Sequence, residues 1–103
     1  MDSNSLFVAV LRHFSGDFTC VFRDILPHIN INNGKYRTFC PFHDSHSEAF
    51  CGDTTGPYAG FWCCFACGQR GGIVEFVEES VGDPEYYFRY KWGVSRTMPR
   101  PTR

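Results

Sequence analysis

At 103 residues the chain is sized for one domain, and a hydrophobic content of 43%, with eleven Phe, supplies a small core. A formal net charge of −1 excludes a bulk polycation, so any nucleic-acid contact must come from a local patch. No basic leader precedes the short apolar run at residues 6–11, and no stretch approaches the ~20 apolar residues of a membrane span. The chain is therefore expected to be cytoplasmic and free of membranes, and its six Cys to favour metal over disulfides.

In chain order, Phe7, Val10, Leu11 and Phe14 recur at helical spacing. They predict an amphipathic helix over residues 1–14, capped by Ser3 or Asn4 and broken by Ser15-Gly16. Asp17 is placed to cap a short second helix with the stripe Phe18, Val21, Phe22 and Ile25, which Pro27 ends. Cys20 beside that stripe reads as a buried, inert thiol. His13 and His28 stand alone and read as surface or core residues, not ligands.

Ile29 and Ile31 alternate with Asn30 and Asn32, and Asn33-Gly34 follows as a hairpin turn, since both residues tolerate positive φ. Residues 35–39 are the expected returning strand, delivering Cys40. A third strand is expected at 48–51, a loop at 52–60 and a fourth strand at 61–64. Gly68 and Gly71-Gly72 let the chain turn sharply. Ile73, Phe76, Val77 and Val81 then mark a helix that Gly82 ends. Asp83-Pro84-Glu85 starts another, expected over 86–92, with Asp as cap and Pro at its first position. Residues 93–103 read as a basic, frayed tail.

The chemistry concentrates in two pairs. Cys40-Pro41-Phe42-His43 and Cys64-Phe65-Ala66-Cys67 each place two residues between donors, and twenty residues separate the pairs. A tight turn aims two such side chains at one ion, and two turns complete a tetrahedron of three sulfurs and one nitrogen. Thiolate and imidazole suit Zn2+, whose filled d shell imposes no geometry. Cys40, His43, Cys64 and Cys67 close the site and leave no position for water, which marks a structural ion. Cys63 competes with Cys64, but only one of two strand neighbours can face the ion, and the Cys64–Cys67 spacing fits the turn better. Cys51 has no short-range partner and reads as a spectator. His46-Ser47-Glu48 with the later Cys pair sketches a zinc deaminase. That reading leaves Cys40 and His43 without a role, and no Pro precedes Cys64.

Taken together, Cys40-Pro41-Phe42-His43-Asp44, Phe50, Phe61-Trp62-Cys63-Cys64-Phe65-Ala66-Cys67-Gly68 and Gly71-Gly72-Ile73-Val74-Glu75-Phe76-Val77 resemble the CHC-type zinc finger of bacterial DnaG-type DNA primases, over roughly residues 21–92. The resemblance implies an α+β zinc ribbon, an antiparallel sheet flanked by short helices, with ligands at the same four positions. The expected division of the chain is an N-terminal helical segment (1–27), the ribbon (28–92) and the tail (93–103). It further implies recognition of single-stranded template DNA and presentation of that template to a separate catalytic domain, with a primase catalytic domain or helicase as partner in trans. Residues 45–49 depart from the family, which usually has a basic residue and Thr-Pro there. No polymerising domain follows within the 103 residues, so the chain alone is expected not to make primers.

Single strands are held by a positive groove and aromatic platforms. Lys35, Tyr36, Arg37, Trp62 and Arg70 are the candidate contacts. Tyr36 and Trp62, with polar tips, suit core and contact equally, whereas Phe39, Phe50, Phe61 and Phe65 are expected in the core. The competing class is a zinc ribbon that mediates protein–protein contact.

Overall fold

The computed structural model describes residues 3–42 and 47–94. Two helices come first, α1 (Ser3–Phe14) and α2 (Thr19–Ile25). Five strands follow: β1 (Ile31–Asn32), β2 (Lys35–Thr38), β3 (Phe50–Asp53), β4 (Trp62–Cys64) and β5 (Arg70–Gly71). Helix α3 (Ile73–Ser80) and the turn α4 (Pro84–Tyr86), which runs into a π-helical turn at Tyr87–Lys91, close the chain. The strands form one antiparallel meander in sequence order.

The hairpin forms as its sequence demands. Ile31 pairs with Tyr36 and Asn32 with Lys35, leaving a two-residue loop. Asn33 and Gly34 sit at φ 52° and 76°, the left-handed pair such a loop requires. Buried Thr54 then ties three elements together. Its N–H (2.6 Å) and hydroxyl (2.8 Å) both donate to the Gly34 carbonyl, and its own carbonyl accepts from the Phe18 N–H at 2.8 Å.

The inner face of the sheet is an aromatic core. Phe50 and Trp62 stack at 5.4 Å, and Phe22, Tyr36, Phe42 and Phe76 pack around them. From α1 and α2 the core takes Leu6, Val10, Phe18, Val21 and Phe22; from α3, Ile73, Val74, Phe76 and Val77. Asp24 fastens the turn after α4 to α2, accepting from the Tyr87 hydroxyl at 2.7 Å and pairing with Lys91 at 2.9 Å. Burial pushes the Asp24 carboxyl up, but these two partners outweigh it and hold it below the usual value.

Several expectations need correction. In α1 the buried side is Leu6, Ala9 and Val10, while Leu11 is exposed and Phe7 and Phe14 are partly buried. The segment is apolar nearly all round, so its spacing did not single out one face. Asp17 accepts from the Thr19 N–H and hydroxyl, but it stands two positions before the start of α2, whose capping position is Phe18. Cys20 is exposed, not buried. Strand β3 begins two residues later than expected and carries Gly52 inside it. A Cβ there would meet the Tyr36 hydroxyl at 2.6 Å, so glycine is what lets that ring cross the strand. Val81 is exposed beyond the end of α3. The Asp83 cap and Pro84 hold: the Asp83 carboxylate accepts from the Tyr86 N–H at 3.2 Å. The Ser3 and Asn4 cap side chains, and the tail from residue 95 onward, lie outside the described residues.

Candidate metal centre and sheet surface

Strand β2 leads into Cys40 and strand β4 ends on Cys64, so the sheet delivers one donor from each of two neighbouring loops. The sulfurs of Cys40, Cys64 and Cys67 all lie within 4.8 Å of one another. A tetrahedral ion about 2.3 Å from each sulfur would set them about 3.8 Å apart, within that limit. Cys40 and Cys64 are buried and Cys67 is exposed. His43 and His46 lie outside the described residues.

Both turns already aim N–H donors at sulfur. The Phe42 N–H donates to Cys40 Sγ at 3.4 Å. The Gly68 N–H closes the second turn on the Cys64 carbonyl at 2.8 Å. Burial alone would raise the Cys64 thiol, yet N–H donors at Cys67 and Ala66 and the neighbouring thiols outweigh it, and its pKa falls below the usual value. Burial pushes the Cys40 thiol up to about 11, partly countered by the Phe42 N–H and reinforced by Cys64. One thiol's pKa is thus lowered and another's raised, within one cluster of sulfurs. A doubly charged, thiophilic ion satisfies all three at once.

The cluster also decides between the two adjacent cysteines of β4. Cys64 faces the ion site, while Cys63 pairs with Cys51 across the strands. Cys51 therefore has a partner, which no local spacing could reveal. The presence of Cys40 in the cluster also counts against the deaminase outline, which has no place for it.

The strand register sorts the remaining candidates by face. Tyr36, Gly52, Trp62 and Gly71 form one row across four strands, and Arg37, Cys51, Cys63 and Arg70 form the next. The first row is inside. Tyr36 is 4% and Trp62 1% exposed, so neither ring offers a free face; both are corrected to core residues. The Trp62 indole N–H donates to the Gly72 carbonyl at 2.8 Å, satisfying its polar tip internally. The second row is outside, with Arg37 and Arg70 exposed at its two ends. Lys35 is on the same face and pairs with Asp53 at 3.0 Å. Phe39 (52%), Phe61 (43%) and Phe65 (70%), expected in the core, are exposed instead, and only Phe50 of that group is buried. Parity counted from the clustered cysteines would have found this: Tyr36 shares its parity with Cys40, and Trp62 with Cys64.

A family model described as the CHC2 zinc finger matches residues 7–87. The chain belongs to that family. As a CHC2 zinc finger it takes zinc as its metal, in keeping with the thiol cluster. The DNA primases of Chlamydia trachomatis serovar D and Chlamydia muridarum are each 29% identical over 55 residues, covering 53% of this chain and 9% of the primase. The DNA primase of Streptomyces coelicolor is 38% identical over 48 residues, 47% of this chain and 7% of the primase. The match takes in less than a tenth of each of these longer proteins. Among the described residues no single helix of this zinc finger is long and apolar enough to cross a membrane.

Proposed function

We propose that this CHC2 zinc finger binds single-stranded DNA through the outer face of its sheet and serves primer synthesis beside a separate catalytic domain. The observation that carries the reading is the composition of that face. Arg37 and Arg70 flank it, Lys35 adds a third cation, and Phe61 is exposed at its edge, with Phe39 and Phe65 exposed at the strand ends nearby. Cations neutralise phosphates and open rings accept bases irrespective of sequence. Zinc, held by Cys40, Cys64 and Cys67 with His43 as the fourth donor, sets the strands that carry these residues. Its role is structural, and the polymerising chemistry belongs to the catalytic domain, with a helicase as a further partner in trans and the cytoplasm as the compartment.

Fluorescence anisotropy of the zinc-loaded chain with labelled single-stranded oligonucleotides tests this. Binding is expected to weaken linearly with the logarithm of salt concentration, with a slope of about two to three released counterions. Replacing Arg37 and Arg70 together by Ala should weaken it about tenfold or more and flatten that slope. Absence of binding to any single strand at low salt would overturn the reading.

A second reading, protein contact, has its own observation. Tyr86 and Tyr90 pack with tilted rings, centroids 4.6 Å apart, on the surface, and line a groove of about 550 Å³ with Leu6, Val74 and Arg89. A protein partner retained after nuclease treatment, and lost on replacing Tyr86 and Tyr90 by Ser, would favour it.

A further inference from the structure

Cys51 and Cys63 face away from the metal cluster, on the outer side of the sheet. They are directly opposed in the β3–β4 register. Their sulfurs lie 3.7 Å apart in a thiol–thiol contact, and both residues are partly exposed. The ladder on either side fixes the type of pair. The Asp53 N–H donates to the Phe61 carbonyl and the Phe65 N–H to the Ala49 carbonyl, each at 2.9 Å. Bonded pairs alternate with non-bonded ones, so Cys51 and Cys63 occupy a hydrogen-bonded position, where Cα atoms stand about 5.5 Å apart. Disulfides span Cα separations of about 4.4–6.8 Å, with the commonest values near about 5.5–6 Å. Bridging the two therefore asks for side-chain rotation rather than backbone movement.

We propose that Cys51 and Cys63 are a reversible oxidation site, closing to a cross-strand disulfide that ties β3 to β4. The oxidant is a low-molecular-weight disulfide such as oxidised glutathione. One protein thiolate attacks the oxidant's S–S bond and expels a thiolate, leaving a mixed disulfide. The second protein thiolate attacks that sulfur and expels the other half of the oxidant. Two protein thiols are oxidised, one small disulfide is reduced to two thiols, and the two protons pass to those products. The bridge acts on the ion site through the chain, because Cys63 is followed directly by Cys64. Tying β4 to β3 restrains the strand that must move before Cys64 can leave the ion.

The test treats the zinc-loaded full chain with oxidised glutathione in mildly alkaline buffer, where more thiol ionises. Remaining thiols are then alkylated, and the protein is digested and mapped by mass spectrometry. Exposed Cys20 serves as the internal reference for a lone thiol and should carry glutathione. The expected result is a peptide linked through Cys51 and Cys63, zinc retained, and full recovery of both thiols on reduction. In Cys51→Ser the link should vanish and Cys63 should carry glutathione. Zinc release to a chelator should be several-fold slower from the oxidised protein than from the reduced one, and equal in the two forms of Cys51→Ser. The proposal is overturned if Cys51 and Cys63 stay alkylatable after Cys20 has reacted. It is equally overturned if each carries glutathione separately, or if bridges form instead among Cys40, Cys64 and Cys67 with loss of zinc. Equal release rates from both forms of the unsubstituted protein would overturn the coupling to the ion. None of these readouts involves DNA.

Discussion

The two faces of one small sheet do different work, although their residues alternate along the same strands. On the inner face Tyr36, Phe50 and Trp62 meet α2 and α3, and Cys64 continues that face toward the ion. On the outer face Lys35, Arg37 and Arg70 are exposed, Arg70 beside Glu75 and Glu79 of α3, and the nearby Phe61 is exposed. The inner face fixes the fold, and the outer face carries the proposed contact. Because the period is two, each functional boundary falls between adjacent residues: Phe61 from Trp62, Cys63 from Cys64.

The sharpest way to break the comparison uses the adjacent cysteines. Cys64→Ser should abolish tight zinc binding and with it the folded ribbon, because apparent binding energies of structural zinc are about 10–16 kcal/mol and become folding energy. Cys63→Ser should retain zinc and fold, changing stability by under about 1 kcal/mol. Zinc content after gel filtration and circular dichroism read both outcomes. Zinc loss in Cys63→Ser, with Cys64→Ser intact, would reverse the assignment of faces.

The adjacent aromatics give the next largest effect. Trp62 is fully buried, stacks on Phe50 and bonds the Gly72 carbonyl. Trp62→Ala should cost about 3–5 kcal/mol in urea unfolding of the zinc-loaded protein. Phe61→Ala should cost under about 1 kcal/mol, while weakening single-strand binding by about 1–3 kcal/mol if its ring stacks on a base.

These pairs also show which parts of the molecule could be read before folding. The sulfur cluster was legible because Cys64 and Cys67 form a local pair, and local spacing is set by local backbone geometry; His43, the expected partner of Cys40, lies outside the described residues. The Asn33-Gly34 turn and the Asp83-Pro84 start were legible for the same reason. The side of each aromatic was not. Hydrophobicity favours Phe over Tyr or Trp for the core, yet Phe61 and Phe65 are outside and Tyr36 and Trp62 inside. Their placement follows from the register, in which Cys40 and Cys64 point into one sulfur cluster. Gly52 read as a loop residue because nothing local announces that the Tyr36 ring lies across it. The Cys51–Cys63 pair needed the same long-range information.

Acid should weaken the inner face selectively. In the metal-free cluster burial holds the Cys40 thiol up to about 11, so at neutral pH zinc must displace its proton. A ligand protonated when free and deprotonated when bound makes affinity rise with pH until its pKa is passed. Zinc affinity should therefore fall about tenfold or more for each unit of decreasing pH across the neutral range, one factor of ten per proton released. Competition with a chelator of known pH behaviour measures the slope. Affinity independent of pH between about 6 and 8 would contradict a thiol that holds its proton so strongly.

The smallest effect concerns the outer face alone. Asp53 pairs with Lys35 at 3.0 Å, and the lysine is 69% exposed. Exposed ion pairs contribute only about 0–1 kcal/mol, because water screens the charges and two side chains lose freedom. Asp53→Asn should therefore lower stability by less than about 1 kcal/mol. The same substitution removes a negative charge from the proposed DNA-contact face and would free the Lys35 ammonium for phosphate. Single-strand binding should tighten by a few-fold at low salt and show a steeper salt dependence, by up to about one counterion. A charge lost from the inner side, or far from the contact surface, would leave that slope unchanged. Tighter binding with little loss of stability would place Lys35 on the working face; weaker binding would mean that Asp53 holds Lys35 in its binding position rather than withholding it from DNA.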